Sequence, residues 1–213
     1  MPDPSTFALF AAASLAFLAI PGPSVFYIVT RSLTQGRRAG VTSMLGVQAG
    51  GLVHVLAAAV GVSALLASSA AAFTVVKYAG AAYLVYLGVK RLLTAGRSEP
   101  ELEPDDRATA TRLFAQGVVV NVLNPKTALF FLAFLPQFVD PDAGPVAPQM
   151  LVLGTLLVAL GVLSDGTYAV LAAGAGRRLR DAAASRRALD RLSGGVFIGL
   201  GLVAALAGEP ARR

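Results

Sequence analysis

The chain has 213 residues, of which 55% are hydrophobic and only 14% are charged, and its mean hydropathy is +0.67. Soluble domains carry about 25% charged residues, so the composition predicts an integral membrane protein, with a soluble bundle of unusually apolar core as the alternative. Cysteine is absent, which excludes disulfide bonds and thiolate metal sites.

Six apolar stretches follow one another along the chain, each close to the length of about 20 residues that crosses a bilayer. They are predicted at about 5–30, 40–66, 74–93, 112–138, 149–175 and 192–208. The first differs from a secretory signal peptide, because no basic residue precedes it and its apolar part is too long, so we predict a retained span. The predicted fold class is an all-α integral membrane protein with six transmembrane helices.

Basic residues concentrate in three of the segments between these spans. The segments 31–38, 90–112 and 176–191 hold fourteen of the 18 lysines and arginines, whereas the loops near 67–73 and 139–148 hold none. Because positively charged loops stay in the cytoplasm, both termini are predicted to lie outside. Topology and contact with anionic lipid headgroups account for the net charge of +6, so nucleic acid is not expected as a partner.

The chain divides into two units of three spans, residues 1–93 and 112–213, joined by an acidic, proline-bearing cytoplasmic linker at 94–111. The stretch KYAGAAYL at 77–84 corresponds to RLSGGVFI at 191–198, and the first and fourth spans are both interrupted by proline. Three spans per unit force opposite orientations. The sequence therefore predicts an inverted 3+3 repeat, a common plan of secondary transporters.

The two proline interruptions fall well inside the predicted first and fourth helices. The first is Pro21-Gly22-Pro23 and the second is Asn124-Pro125. Proline removes a backbone donor and clashes with the preceding turn, so both helices are predicted to be broken. Breaks in corresponding helices of two repeats indicate a substrate site, because free backbone groups are tolerated there only inside protein or beside a cavity.

Ionisable residues at membrane depth are the further candidates. A central lysine costs about 2.5–3.5 kcal/mol on insertion, so Lys126 is predicted to face the interior near Asn121, where it binds a substrate carboxylate, pairs with Asp165 or caps freed carbonyls. Asp165 is predicted either to couple transport to protons or to be a counter-ion. His54 is predicted to be a proton relay or a packed imidazole. One histidine cannot form a metal site, so no metal or other cofactor is expected.

Small residues indicate close packing between helices. The pattern Gly46-x-x-x-Gly50 in the second span and Gly195-x-x-x-Gly199 in the sixth are typical of faces on which two helix backbones approach each other. The contact that they predict is either within the monomer or between the subunits of a homodimer.

Four stretches together carry a family resemblance: PGPSVFYIVTRSLTQGRRAG at 21–40, KYAGAAYLVYLGVKRL at 77–92, NVLNPKTALFFLAFLPQFV at 121–139 and LDRLSGGVFIGLGL at 189–202. In these the chain resembles the LysE/RhtB family of bacterial amino-acid exporters along almost its whole length. The resemblance implies a carrier of the bacterial inner membrane that exports amino acids or related small metabolites and is driven by the proton gradient. The motif residues of the family carry over onto Pro21, Gly22, Pro23, Asn121, Asn124, Pro125 and Lys126.

One position departs from the exporters of basic amino acids that this chain resembles. Those proteins can carry an aspartate in the second span where this chain has Gly51. A neutral amino acid such as homoserine, threonine or leucine is therefore expected as the substrate, rather than lysine or arginine.

Three other functions remain as alternatives at this point. A channel would use the same helix breaks without coupling. A membrane-embedded enzyme would need a metal or an acid–base pair, for which one histidine and one intramembrane aspartate are a poor set, so no enzymatic activity is expected. A purely structural subunit would have no use for Lys126.

Overall fold

The computed structural model describes residues 2–68 and 109–175, together with isolated positions within 75–93 and at 198 and 202. In the two continuous ranges all regular elements are helical, which confirms the all-α prediction for them. The predicted third and sixth spans, the Gly195–Gly199 pattern and most of the linker 94–111 lie outside these ranges. The six-span count and the inverted repeat therefore stay predictions.

The described helices are α1 (Pro4–Ala19), α2 (Pro23–Ser68), α3 (Ala110–Val122), α4 (Pro125–Leu129) and α5 (Val146–Ala175). A π-helical turn at Phe130–Phe134 and a 3₁₀ turn at Leu135–Phe138 extend α4, and a second 3₁₀ turn at Pro141–Ala143 leads to α5. By length and hydropathy alone, two helical stretches could cross a membrane: Val146–Gly174, and Pro23–Gly61, which is interrupted at Gly36. The pair Ala110–Val122 and Pro125–Phe138, bent by 49°, adds a third span if it is counted as one.

α2 folds back on itself at Gly36, which has φ of 81° and ψ of −179°. A positive φ is readily adopted only by glycine. A continuous helix would separate Ser24 from Val47 by about 34 Å, yet both residues bond to Asn121 of α3. The residues before and after Gly36 therefore form an antiparallel pair, and the turn lies inside the predicted basic segment 31–38.

Glycines bring the second half of α2 into backbone contact with α3. A Cβ on Gly117 would lie 2.5 Å from the Ser43 carbonyl oxygen, and a Cβ on Gly50 would lie 2.8 Å from that of Val118. Gly46 faces the backbone of α3 in the same way. The predicted Gly46–Gly50 face thus packs within the monomer.

An aromatic cluster forms the core between α1 and the turns that follow α4. The ring centroids of Phe17 and Phe130 are 4.2 Å apart, and those of Phe10 and Phe138 are 5.1 Å apart. Phe10, Phe17 and Phe130 are buried against Leu153 of α5 and its neighbours. This packing holds the C-terminal end of α1 against the segment after Pro125, so the two predicted helix breaks lie side by side.

We expect Gly117→Ala to destabilise the protein by roughly 1–3 kcal/mol, because the added methyl group would overlap the backbone of α2. Gly61→Ala is the matched control, since a Cβ at that position meets nothing within 4 Å. Thermal unfolding of the two purified variants in detergent measures the difference. Equal melting temperatures would contradict the close contact of α2 and α3.

Candidate functional site

The first helix break frees two backbone carbonyls. In an α-helix the N–H of each residue bonds to the carbonyl four residues earlier, and proline has no N–H. Pro21 and Pro23 therefore leave the carbonyls of Phe17 and Ala19 without their helical partners. The Tyr168 hydroxyl of α5 donates to the Ala19 oxygen at 3.0 Å. The Phe17 carbonyl receives its donor from α4.

That donor is Lys126, which joins the two breaks. Its Nζ donates to the Phe17 oxygen at 2.9 Å and to the Ile20 oxygen at 2.5 Å, and it lies 4.3 Å from the centre of the Phe17 ring. These carbonyls form the C-terminal end of α1, where the helix dipole favours a cation. Hydrogen bonds to charged groups contribute about 1.5–3 kcal/mol each. Two of them offset the insertion cost of about 2.5–3.5 kcal/mol for a central lysine.

Gly22 makes the approach of Lys126 feasible. A Cβ at position 22 would lie 3.0 Å from Cδ of the lysine and 3.7 Å from its Nζ. A larger residue between Pro21 and Pro23 would therefore press on the lysine side chain. The glycine of the first break therefore leaves space for the lysine side chain that comes from the second break.

The second break is stabilised by Asn124 and His54. Asn124 caps α4, because its side-chain oxygen accepts the backbone N–H two residues later at 3.0 Å. The Asn121 carbonyl, which Pro125 leaves without its helical partner, accepts from the Asn124 N–H at 3.0 Å. His54 Nε2 also lies 3.0 Å from this oxygen, and its ring stacks on Phe131. His54 is thus a packed, hydrogen-bonded imidazole in this structure, and its role as a proton relay stays a prediction.

Buried amides and hydroxyls connect the second break to both halves of α2. Ser24 Oγ donates to Asn121 Oδ1 at 3.1 Å and accepts from Asn124 Nδ2 at 2.8 Å. Thr127 donates to the same Asn121 oxygen at 2.9 Å, and Asn121 Nδ2 donates to the Val47 carbonyl at 2.7 Å. Asn121 thereby holds the first half of α2 with its side-chain oxygen and the second half with its amide nitrogen.

Asp165 is buried within α5 and is bonded through one oxygen only. Gln48 Nε2 donates to its Oδ2 at 2.8 Å, whereas Oδ1 has no hydrogen-bond partner. The carboxylate lies within electrostatic range of Lys126. Gln48 fits against α5 because residue 161 is glycine: a Cβ on Gly161 would lie 2.7 Å from Oε1 of Gln48.

These groups surround a cavity of about 50 Å³. A buried water molecule needs roughly 10–15 Å³ of cavity volume, so this cavity has room for about three to five water molecules. An amino acid with a side chain has more non-hydrogen atoms than this number of water molecules, so its entry requires the cavity to widen. The polar part of the wall consists of Ser24, Gln48, Asn121, Asn124, Lys126, Thr127 and Asp165.

Five residues that the sequence singled out for substrate binding or proton coupling line this cavity: Gly22, Asn121, Asn124, Lys126 and Asp165. The prolines do not line it: Pro21 follows α1, whereas Pro23 and Pro125 begin α2 and α4. His54 bonds to the backbone of Asn121 without lining the cavity. Gly51, at which the chain departs from exporters of basic amino acids, is also part of the wall.

The sequence did not single out three polar residues that line the cavity, Ser24, Gln48 and Thr127. It also did not single out Tyr168, which donates to the first helix break outside the cavity. The sequence signal that could have identified them is a polar side chain inside an apolar span. Ser24 and Thr127 also lie within three residues of a helix break, and Tyr168 follows Asp165 by three residues, which places both on one face of α5.

The comparisons with known proteins cover most of the chain. A sequence profile described as LysE type translocator matches residues 15–208. An uncharacterized membrane protein of Vibrio cholerae is 34% identical over 91% of this chain and 93% of its own length. The homoserine/homoserine lactone efflux protein of Salmonella typhimurium is 34% identical over 71% of this chain and 73% of its own length. No solved structure matches the chain.

The profile match spans both helix breaks and the whole of the cavity lining. It confirms the resemblance on which the sequence analysis relied, and with the relatives it indicates a protein of a membrane. The chain belongs to the LysE type translocator family.

Proposed function

We propose that the protein exports a neutral amino acid or a closely related small metabolite across the bacterial inner membrane, driven by the proton gradient. The observation that carries this proposal is the cavity where two helix breaks meet a buried lysine and a buried aspartate. Transporters commonly bind polar substrates between broken helices near the bilayer midplane. We also propose that both the N-terminus and the C-terminus lie on the outer side of the membrane.

The name of the Salmonella relative supports the direction of transport and the class of substrate. That protein is named for the efflux of homoserine and homoserine lactone. Both compounds are small, both carry an α-amino group and neither has a charged side chain. We propose substrates of the same class for this chain.

The charges of the cavity fit an amino acid whose side chain is neutral. Among the residues that line it, Lys126 is the cation and Asp165 is the acid. These two match the carboxylate and the ammonium of a zwitterion. A cationic side chain would need a second acid, and residue 51, where exporters of basic amino acids can carry one, is glycine.

Lys126 is proposed to exchange partners during transport. Its ammonium group bonds to neutral carbonyls at the end of α1. A carboxylate is the stronger acceptor, because its negative charge adds Coulomb attraction that a neutral carbonyl lacks. Contact with a substrate carboxylate would release the end of α1, so that binding is coupled to movement of the first break. The proton-coupling role is assigned to Asp165.

Lys126→Met is expected to lower both stability and export, because it leaves the Phe17 and Ile20 carbonyls without their donor and the substrate carboxylate without a cation. The loss of one charge-assisted bond, about 1.5–3 kcal/mol, corresponds to roughly a 10- to 100-fold fall in homoserine efflux per folded molecule. Efflux from proteoliposomes, normalised to folded protein, measures it.

Tyr168→Phe is the matched control for this variant. It removes a donor from the same helix break, at the Ala19 carbonyl, but Tyr168 does not line the cavity. Stability should fall while efflux per folded molecule is retained. Full efflux from folded Lys126→Met would show that the lysine has a structural role alone.

Substrate charge gives a second test. We expect proteoliposomes with the wild-type protein to export homoserine, threonine or leucine but neither lysine nor arginine.

Gly51→Asp adds a carboxylate to the cavity wall, where the new Cβ would lie 3.2 Å from Val158 and 3.9 Å from Gln48 Oε1, and it should admit lysine. Gly51→Asn, of nearly the same size without the charge, should not. Export of lysine or arginine and of no neutral amino acid by the wild type would refute the proposed specificity.

A further inference from the structure

We infer that Oδ1 of Asp165 is the acceptor for the α-ammonium group of the substrate and that Gln48 positions this oxygen. The inference rests on the proposed function and adds to it the group by which the substrate is recognised. Asp165 is only 4% exposed and lines the cavity, yet Oδ1 has no hydrogen-bond partner. Buried polar atoms nearly always have a partner, so an acceptor left open beside a cavity indicates a donor that arrives with a ligand.

The chemistry of this oxygen selects a cationic nitrogen. An ionised carboxylate can only accept hydrogen bonds, and bonds from charged donors are the strongest that it makes. The ammonium of Lys126 donates to the carbonyls of Phe17 and Ile20 rather than to Oδ1. A primary ammonium group brought by the substrate fits the remaining acceptor.

Gln48 fixes the direction in which Oδ1 points. Its Nε2 donates to Oδ2 at 2.8 Å, so Oδ1 is the oxygen of this cavity-lining carboxylate that remains to accept from a ligand. The amide of Gln48 is seated against the α5 backbone, since a Cβ on Gly161 would lie 2.7 Å from its oxygen and 3.1 Å from its nitrogen. Gln48 therefore acts as a positioning residue through Asp165.

This arrangement makes the free α-amino group the feature that substrates share. An amino acid and its lactone both carry that group, whereas an α-hydroxy acid of the same skeleton lacks it. Oδ1 can hold either the substrate ammonium group or a proton, but not both at once. Transport that exchanges substrate for protons requires such alternation at one site.

Three probes separate the two ends of the substrate. L-homoserine carries both charged groups, L-homoserine lactone has the amino group without a free carboxylate, and 2,4-dihydroxybutyrate has the carboxylate without the amino group. Binding is followed through the ligand-dependent rise in melting temperature of the purified full-length protein, with no proton gradient. The variants are Asp165→Asn, Gln48→Leu and the control Thr167→Val, whose hydroxyl bonds within α5 to Leu163.

The wild type should bind L-homoserine at least tenfold more tightly than the hydroxy acid, which has the same carboxylate but no amino group, and it should bind the lactone through the amino group alone. Asp165→Asn can keep an acceptor for Gln48 while it turns a donor toward the cavity, and it should abolish this preference. Gln48→Leu should reduce the preference by a smaller factor, and Thr167→Val should leave it unchanged.

Two results would overturn the inference. One is an unchanged preference for homoserine over the hydroxy acid in folded Asp165→Asn. The other is equal wild-type affinity for homoserine and the hydroxy acid, a result that needs no variant to fold. In both cases homoserine efflux by the wild type would leave the proposed function standing, whereas failure of the wild type to export or bind any neutral amino acid would remove both.

Discussion

Carbonyl groups that proline deprives of their helical partners set the arrangement of this site. In the hydrocarbon region an unsatisfied backbone group costs several kcal/mol, so a broken helix needs donors from elsewhere in the protein. The pairs of freed carbonyl and side-chain donor are Phe17 with Lys126, Ala19 with Tyr168 and Asn121 with His54. The donors belong to three different helices, so satisfying the breaks also fixes how those helices lie against each other.

Lys126 has a place in both the stability and the proposed transport of the protein. Its bonds to the end of α1 close the first break, and its side chain is part of the cavity wall. In the proposed mechanism the Lys126 ammonium bonds to the carbonyls of α1 until a substrate carboxylate enters the cavity and replaces them. Substrate binding is thereby linked to movement of the first helix break. In the proposed function, the structural and functional roles of this lysine are two states of one residue.

The sequence predicted those parts of the site that have a local signal. Proline inside an apolar stretch identified both breaks, and the insertion cost of a lysine placed Lys126 in the interior. Capping of freed carbonyls was one of the three roles predicted for this lysine. Which carbonyls it bonds could not be predicted, because they lie more than 100 residues away and become free only when α1 ends. Gln48 and Ser24 were not assigned, since a single amide or hydroxyl in a membrane helix can also bond within its own helix. The third and sixth helices, and with them the repeat, stay predictions.

Protection of a cavity residue by substrate tests the central claim most directly. The chain has no cysteine, so a Val158→Cys variant carries one thiol in the cavity wall and an Asp142→Cys variant carries one in the exposed turn before α5. The rate of alkylation by a small permeant maleimide is measured with and without saturating L-homoserine. We predict that homoserine slows the reaction several-fold at position 158 and leaves it unchanged at position 142. Equal rates at position 158, in protein that exports homoserine, would contradict a substrate site at the junction of the two breaks.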